Sequence, residues 1–323
     1  MTERMIQARK DFSRMGHALL ALGSITTVLQ ILLSLLLKSL PPDSPVRQME
    51  LMRWILSVGP MYLVAIPVSL LLMRKIPAET CPAENLGGKR FFVLMLICMP
   101  LMYGGNLLGI QLSSLLSGGS AENRLLDYIG GNPLYSLLFV VLLAPILEEL
   151  VFRKQIIDRL GKYGEKHAIF FSALAFGLFH MNLFQFFYAF ALGLLFAYVY
   201  TRTRRLRYCV IMHMIINFMG SVLAPLLLGL VDMDTLAAME TGTVTTDQLL
   251  QMVPGLIAYF CYALVYLGCV IAGFVLLLIR WNKTEFHPAS RELLPDSGTV
   301  IYGNRGMVLF IVFCLIMTVL TLF

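Results

Sequence analysis

Nine apolar stretches, separated by short polar intervals, make up most of the chain. A helix needs about 20 mostly apolar residues to cross about 30 Å of hydrocarbon. In chain order the stretches are residues 17–37, 51–73, 91–116, 134–158, 167–180, 184–201, 208–230, 255–279 and 307–323. The fifth stretch is too short to cross unaided. The pattern predicts an all-α, polytopic transmembrane helical bundle with about eight to nine spans.

Composition agrees with this pattern. The 323 residues are 58% hydrophobic and 14% charged, and the mean hydropathy is +0.79. These values exclude a soluble globular domain. The six cysteines show neither a disulfide framework nor a metal-type spacing.

The distribution of Lys and Arg predicts the orientation of the spans. With the N-terminus inside the cell, 21 of the 25 basic residues fall in the inner segments, as the positive-inside rule requires. We therefore predict a multi-pass protein of the cell (plasma) membrane with a cytoplasmic N-terminus. The net charge of +6 is spread over short loops beside spans. This favours the lipid bilayer and its anionic headgroups as partners, and no nucleic acid.

The intramembrane polar residues are concentrated in the middle of the chain. We predict three parts: N-terminal spans in residues 1–132, a core in residues 133–230, and C-terminal spans in residues 231–323. The last part includes an acidic outer loop at 231–254 and a polar inner loop at 282–306. The core begins at Asn132-Pro133, which reads as an N-cap followed by a first-turn proline.

Two adjacent acids, Glu148 and Glu149, lie inside the fourth apolar stretch. If both are ionised at mid-membrane, they cost roughly 5–7 kcal/mol. Glu149 is four residues before Arg153, so the two side chains share a helix face and are expected to pair. Glu148 faces elsewhere and has no evident local partner. Pro145 removes one backbone hydrogen bond and is expected to leave the Val141 carbonyl without its usual donor.

Two later stretches each carry a histidine. His180 follows Phe176 by four residues, and His213 precedes Asn217 by four. Three helices therefore bring Glu148, both histidines and Asn217 towards one predicted pocket. Taken singly, an intramembrane His or Asn is more often a hydrogen-bonding contact between helices, and Glu149 with Arg153 is more often a purely structural ion pair. Together, the three motifs favour a functional site.

The three motifs, in this order, resemble those of a known family. EELVFR fits EExxxR, FGLFH fits FxxxH and HMIIN fits HxxxN. Over about residues 133–217 the chain resembles the CPBP or Abi family of CAAX-processing and bacteriocin-processing membrane proteins. That family includes the type II CAAX prenyl endopeptidases.

The resemblance implies a glutamate-type intramembrane protease without a catalytic metal. It makes Glu148 the general base acting on water, assisted by His180. It makes His213 and Asn217 the residues that stabilise the oxyanion. Glu149 and Arg153 complete the first motif as supporting residues.

Two other chemistries are weighed on the residues. A glutamate with two histidines is a known zinc ligand set, but the HExxH helix signature is absent, and we predict no metal and no cofactor. GxSxG is also absent, which removes the usual serine-hydrolase signature.

The depths of the two histidines impose a geometric condition. At about 1.5 Å per residue, His180 lies roughly 20 Å along its helix from Lys166, whereas His213 lies only about 9 Å from Arg207. We therefore expect the short fifth helix to start deeper, tilt, or turn back within the bilayer around residues 181–185. Such backbone is tolerated only beside protein or a water-filled cavity, and we predict an intramembrane cavity that opens to the cytoplasm. The two imidazoles are expected within about 12 Å of each other.

The leading hypothesis is an intramembrane endopeptidase acting on a membrane-embedded, membrane-anchored or lipidated peptide. A peptide pheromone or bacteriocin precursor is the kind of substrate expected in a bacterium. The alternative is a non-proteolytic protein that binds a membrane partner or confers bacteriocin self-immunity. Substitution of Glu148 by Gln separates the two.

Overall fold

Seven helices in the described part of the chain are long and apolar enough to cross a membrane. The computed structural model describes residues 1–79, 81–123, 125–282, 286–293 and 297–323. Nine principal helices lie in these ranges: α1 Glu3–Ser39, α2 Glu50–Met73, α3 Gly88–Ser117, α4 Pro133–Tyr163, α5 Glu165–Phe179, α6 Leu183–Thr203, α7 Leu206–Leu228, α8 Thr246–Trp281 and α9 Arg305–Leu320. Four short helices, Pro45–Gln48, Leu125–Ile129, Met233–Glu240 and Gly298–Ile301, lie between them. The predicted polytopic helical bundle is confirmed.

Each predicted stretch corresponds to one principal helix, but two of these helices are short. Helix α5 has 15 residues and α9 has 16, which is below the roughly 20 needed for an independent span. Helix α6 packs against α3 and α5, and α1 packs against α9 and α2. The short helices are therefore supported by longer neighbours.

Helix ends follow their capping residues. The Asn132 side chain accepts a hydrogen bond from the Leu134 N–H, and Pro133 occupies the first turn, as predicted. The predicted loop at residues 231–254 contains more helix than expected. Asp232 caps Met233–Glu240, and Thr245 forms a capping box with Gln248 that starts α8 nine residues before the predicted start of the span. These N-caps stabilise helices in a segment whose polar residues predicted a loop.

Close helix contacts depend on small residues. A Cβ on Gly16 would overlap the backbone of Gly306 where α1 crosses α9. A Cβ on Gly105 of α3 would lie 2.5 Å from the Cα of Tyr188 on α6. Small residues let helix backbones approach closely in membrane bundles. These two crossings determine how α1 and α6 lie against their neighbours.

Helices α5 and α6 form an antiparallel hairpin that reverses at residues 180–182. Met181 takes a left-handed backbone conformation with φ 47°. Asn182 then caps α6 by accepting a hydrogen bond from the Phe184 N–H. The Met181 carbonyl accepts a hydrogen bond from Thr321, at the end of α9. The chain therefore turns back where sequence analysis expected it to, and protein covers the irregular backbone.

Candidate active site

Glu149 and Arg153 form a fully buried ion pair, as their spacing predicts. Arg153 Nε lies 2.9 Å from Glu149 Oε2, and Nη2 lies 3.3 Å from Oε1. The guanidinium also donates to Ser172 Oγ at 3.2 Å, and its carbon lies 4.4 Å from the centre of the Phe176 ring. Both charged side chains have no exposed surface. The four residues hold the C-terminal half of α4 against α5.

His213 lies between the two glutamates. Its Nδ1 is 3.0 Å from Glu149 Oε1, and its Nε2 is 3.8 Å from Glu148 Oε2. An N–H at Nδ1 donates to Glu149, so Nε2 faces Glu148. The contact with Glu149 was not predicted, because the sequence offered only Arg153 as its partner. Glu149 therefore orients an imidazole as well as neutralising a guanidinium.

Glu148 makes fewer contacts than Glu149. Its side chain is 15% exposed, whereas that of Glu149 is fully buried. Within the described residues, its one ion-pair contact is the 3.8 Å approach to His213, which is longer than a hydrogen bond. The prediction that Glu148 faces away from the Glu149–Arg153 pair is confirmed.

His180 lies at the C-terminal end of α5. Its Nδ1 donates to the Phe176 carbonyl at 2.8 Å, in the last turn of the helix. Its Nε2 makes no hydrogen bond to the residues that the structure describes. The Phe176 ring contacts both imidazoles, with its centre 4.8 Å from that of His180 and 5.9 Å from that of His213. The imidazoles are thus within the predicted limit of about 12 Å.

His180 and His213 are not equivalent, however. The hydrogen bonds and ion pairs of the described residues join Glu148 to His213 and not to His180. The Phe176 ring of the FxxxH motif contacts both imidazoles. Of the two imidazoles predicted to converge on Glu148, that of His213 is therefore the nearer one.

Asn217 lies one turn along α7 from His213 and contacts the backbone of α4. Its Nδ2 donates to the Val140 carbonyl at 2.8 Å. This part of α4, Ser136–Leu143, is π-helical, and the Ala144 N–H donates to Phe139 rather than to Val140. In that register, the donor to Val140 would be residue 145. Because residue 145 is a proline, Asn217 supplies the missing hydrogen bond.

The structure places an effect of Pro145 one residue away from the expected position. An α-helical register predicted an unsatisfied carbonyl at Val141. The π-helical register shifts the acceptor by one residue, to Val140, and a side chain from another helix satisfies it. The sequence could not show the register, because it depends on the packing of α4 against α7.

A cavity of about 400 Å³ adjoins His180. Its lining residues are Gly23, Thr26, Thr27, Gln30, Ser57, Val58, Met61, Glu122, Phe179, His180, Met181, Asn182, Gln185, Met317 and Thr321. The cavity extends from the turn of the α5–α6 hairpin to exposed Glu122, in the loop after α3. That loop lies at the same end of the bundle as the start of α2, since the Asn132 N–H donates to Glu50.

The cavity therefore opens at the end of the bundle opposite the N-terminus. The structure assigns neither end of the bundle to a side of the membrane, so the predicted opening to the cytoplasm stays a prediction. Helix α5 carries His180 most of the way along the bundle before the chain turns, so the space beyond the turn leads away from the N-terminal end. Glu148 is not among the residues that line this cavity, and His180 is the candidate site residue that does.

One residue of the site was missed by sequence analysis. Ser172 accepts a hydrogen bond from Arg153 and donates to the Phe152 carbonyl at 2.7 Å. It precedes Phe176 by four residues, as Phe176 precedes His180, so the three share one face of α5. Extending the FxxxH spacing back by one turn would have identified it.

No group of three or more His, Cys, Asp or Glu side chains within the described ranges is arranged to hold a metal ion. The two glutamates and His213 are close together, but Glu149 already contacts both Arg153 and His213. Fold and site together define the class: a polytopic helical membrane protein with a buried carboxylate–imidazole cluster formed by α4, α5 and α7.

Comparison with known proteins agrees with this class. Residues 130–219 match the family model described as type II CAAX prenyl endopeptidase Rce1-like. The segment contains all three motifs, so the resemblance inferred from them is confirmed. At the level of the family, the match supports a CAAX protease-type membrane peptidase.

A curated relative gives a second, weaker similarity. The "Putative membrane peptidase YdiL" of Bacillus subtilis (strain 168) is 29% identical over 165 residues, which are 48% of this chain and 66% of the relative. The chain thus spans just under two thirds of the length of the curated relative it matches. No solved structure matches the chain.

Proposed function

We propose that this protein is an intramembrane endopeptidase that hydrolyses a peptide bond with water activated by Glu148. The observation that carries the proposal is the unequal environment of the two adjacent acids. Glu149 is bound by Arg153 and His213, while Glu148 lies 3.8 Å from His213 Nε2 and makes no closer ion pair in the described structure. A general base must be free to accept a proton from water, and Glu148 meets this condition.

In the proposed reaction, Glu148 removes a proton from water and the hydroxide adds to the substrate carbonyl. The negative charge that develops on the carbonyl oxygen needs hydrogen-bond donors placed in advance. His213 Nε2 and the second amide hydrogen of Asn217 are assigned to that task. The protonated Glu148 then transfers its proton to the leaving amine, and the C–N bond breaks. His180 assists by orienting the water.

Charge balance supports this assignment. Glu149 carries a negative charge next to the positive charge of Arg153, and Glu148 adds a second negative charge. A proton on His213 Nε2 makes the cluster electrically neutral, which favours its burial in a membrane bundle. The same proton is the donor that the oxyanion requires. Glu149, on the other side of the ring, fixes the imidazole orientation, as an acid does in a hydrolytic triad.

Substrate and location extend the proposal. The substrate is a membrane-anchored or lipidated peptide or protein, and the protein is placed in the plasma membrane with its N-terminus in the cytoplasm. The CAAX-type description of the matching family supports the first assignment. The location of 21 of the 25 basic residues in the predicted inner segments supports the second assignment.

Substitution of Glu148 by Gln tests the proposal. Gln is nearly isosteric but cannot act as a base, so cleavage should fall by about 10²–10⁴-fold. The measurement is peptidomics of membrane fractions from cells that carry either the wild-type chain or Glu148→Gln, at equal abundance of the two proteins. Peptides that disappear with the variant also identify the substrate.

Glu240→Gln is the matched control, because Glu240 is exposed and is the last residue of the short helix Met233–Glu240, between α7 and α8. It should leave the peptide profile unchanged. A profile that is the same in wild type and Glu148→Gln would refute hydrolysis by Glu148 and favour a binding function.

A further inference from the structure

The cavity beside His180 is lined by many hydrogen-bonding side chains. Its volume of about 400 Å³ is within the range of about 300–1,000 Å³ that is typical of ligand sites. Thr26, Thr27 and Gln30 from α1, Ser57 from α2, and Asn182 and Gln185 from the α5–α6 hairpin contribute polar groups. Polar side chains inside a membrane bundle hydrogen-bond to other helices or line a cavity, and these six line the same cavity.

Two carboxamides in the lining keep free donors and acceptors. Gln30 Nε2 donates to the Ser57 carbonyl, and Gln185 Nε2 donates to the Tyr188 hydroxyl at 2.9 Å. Each carboxamide has two N–H groups and an oxygen with two lone pairs. The Gln185 oxygen also accepts from Asn182 Nδ2 at 3.4 Å, which leaves Gln185 one N–H and one lone pair, and Gln30 keeps one N–H and its oxygen. A peptide group offers the complementary pair.

Charge in the lining restricts what can bind. The described residues that line the cavity include no Lys or Arg, so a free C-terminal carboxylate would find no cation. Glu122 is the carboxylate in the lining, and it is exposed where the cavity reaches the loop after α3. A basic side chain is the natural partner for a carboxylate at that position.

We propose that this cavity is a substrate subsite for a short internal stretch of polypeptide that is uncharged except for one basic residue. The stretch enters from the end of the bundle that carries Glu122. Gln30 and Gln185 bind its main chain, and a basic substrate residue lies beside Glu122. The proposal rests on the proposed peptidase function, because His180, which assists Glu148 in that proposal, also lines this cavity.

The first test measures access of water to the cavity. Thr27→Cys places a thiol in the cavity, and Val28→Cys, the matched control, places one on the exposed apolar face of α1. Both are made in the full-length chain carrying Glu148→Gln, in proteoliposomes, and treated with a charged maleimide. Labelling at each position is read by mass spectrometry, which separates it from the native cysteines. Thr27→Cys should react at least tenfold faster, because maleimides need a hydrated thiolate.

The second test measures binding with two defined probes. Both are acetylated and amidated pentapeptides with four alanines, and the fifth residue is lysine in one and aspartate in the other. Both peptides should slow the labelling of Thr27→Cys. The lysine peptide should give the same slowing at a two- to fivefold lower concentration than the aspartate peptide, because one ion pair at an exposed site contributes about that much to binding. Glu122→Gln should remove the difference, and Glu240→Gln should keep it.

These measurements need no catalysis, so they are independent of the Glu148 test. Equal labelling of Thr27→Cys and Val28→Cys would overturn the proposal, because the cavity would then be closed to water. Failure of both peptides to slow labelling would also overturn it, as would a lysine preference that persists in Glu122→Gln. Protection by the lysine peptide that depends on Glu122 would support it, whatever the outcome for hydrolysis.

Discussion

At the scale of single residues, two adjacent glutamates have different surroundings. Glu149 is bonded on one side by Arg153 and on the other by His213, and it is fully buried. Glu148 is partly exposed and approaches His213 Nε2 at 3.8 Å. One residue of separation turns a helical side chain by about 100°, so two identical side chains face different neighbours. This difference predicts different responses to the same substitution.

Glu149→Gln is expected to destabilise the protein far more than Glu148→Gln. Removing one partner of a buried ion pair leaves an unpaired charge and costs about 3–5 kcal/mol. Glu148→Gln removes no short ion pair and should change the free energy of unfolding by less than about 1 kcal/mol. Thermal unfolding of both variants in the same detergent measures the difference. Equal destabilisation by the two changes would show that both glutamates have structural roles.

At the scale of helices, the π-helical segment of α4 and the side chain of Asn217 depend on each other. In this segment the backbone donor to the Val140 carbonyl would be residue 145, a proline without an N–H. The Asn217 side chain of α7 donates to that carbonyl instead. The same contact connects α7 to α4 one turn from the site of His213. The irregular helix thus helps to place α7 beside the carboxylates.

Pro145→Ala restores an N–H to α4 and should weaken this dependence. In the wild-type background, Asn217→Ala leaves a carbonyl unsatisfied and should cost about 1–3 kcal/mol. In the Pro145→Ala background, the same change should cost about 1 kcal/mol less, because the new N–H can replace the amide. A double-mutant cycle on thermal unfolding measures the coupling. Additive effects within about 0.5 kcal/mol would show that the proline and the amide act independently.

At the scale of the whole molecule, the first and last helices hold the site from one side. Helix α1 crosses α9 at Gly16 and Gly306, and residues beyond Gly23 on α1 line the cavity with the end of α9. Asp11 of α1 is bonded to the Tyr163 hydroxyl at 2.8 Å, which connects α1 to the end of α4. The chain termini therefore pack against the central helices.

Gly306→Val is expected to disrupt the α1–α9 crossing. A Cβ at this position would overlap the Ser13 carbonyl, and overpacking of this kind costs about 1–3 kcal/mol. Gly298→Val is the matched control, because no atom of the described residues lies within 4 Å of a Cβ there. Abundance in membranes and thermal unfolding should fall for Gly306→Val alone. Equal behaviour of the two variants would mean that α9 adjusts without loss of packing.

Local spacing along the sequence determined a large part of this protein. Apolar length defined the nine helices, and the i, i+4 rule identified the Glu149–Arg153 pair, because both depend on geometry within one helix. Contacts between helices were decided only by the tertiary structure: His213 on Glu149, Asn217 on Val140, and the end of the bundle to which the cavity opens. Hydrophobic pattern does not encode which faces meet, and the π-helical register of α4 arises only when it packs against its neighbours.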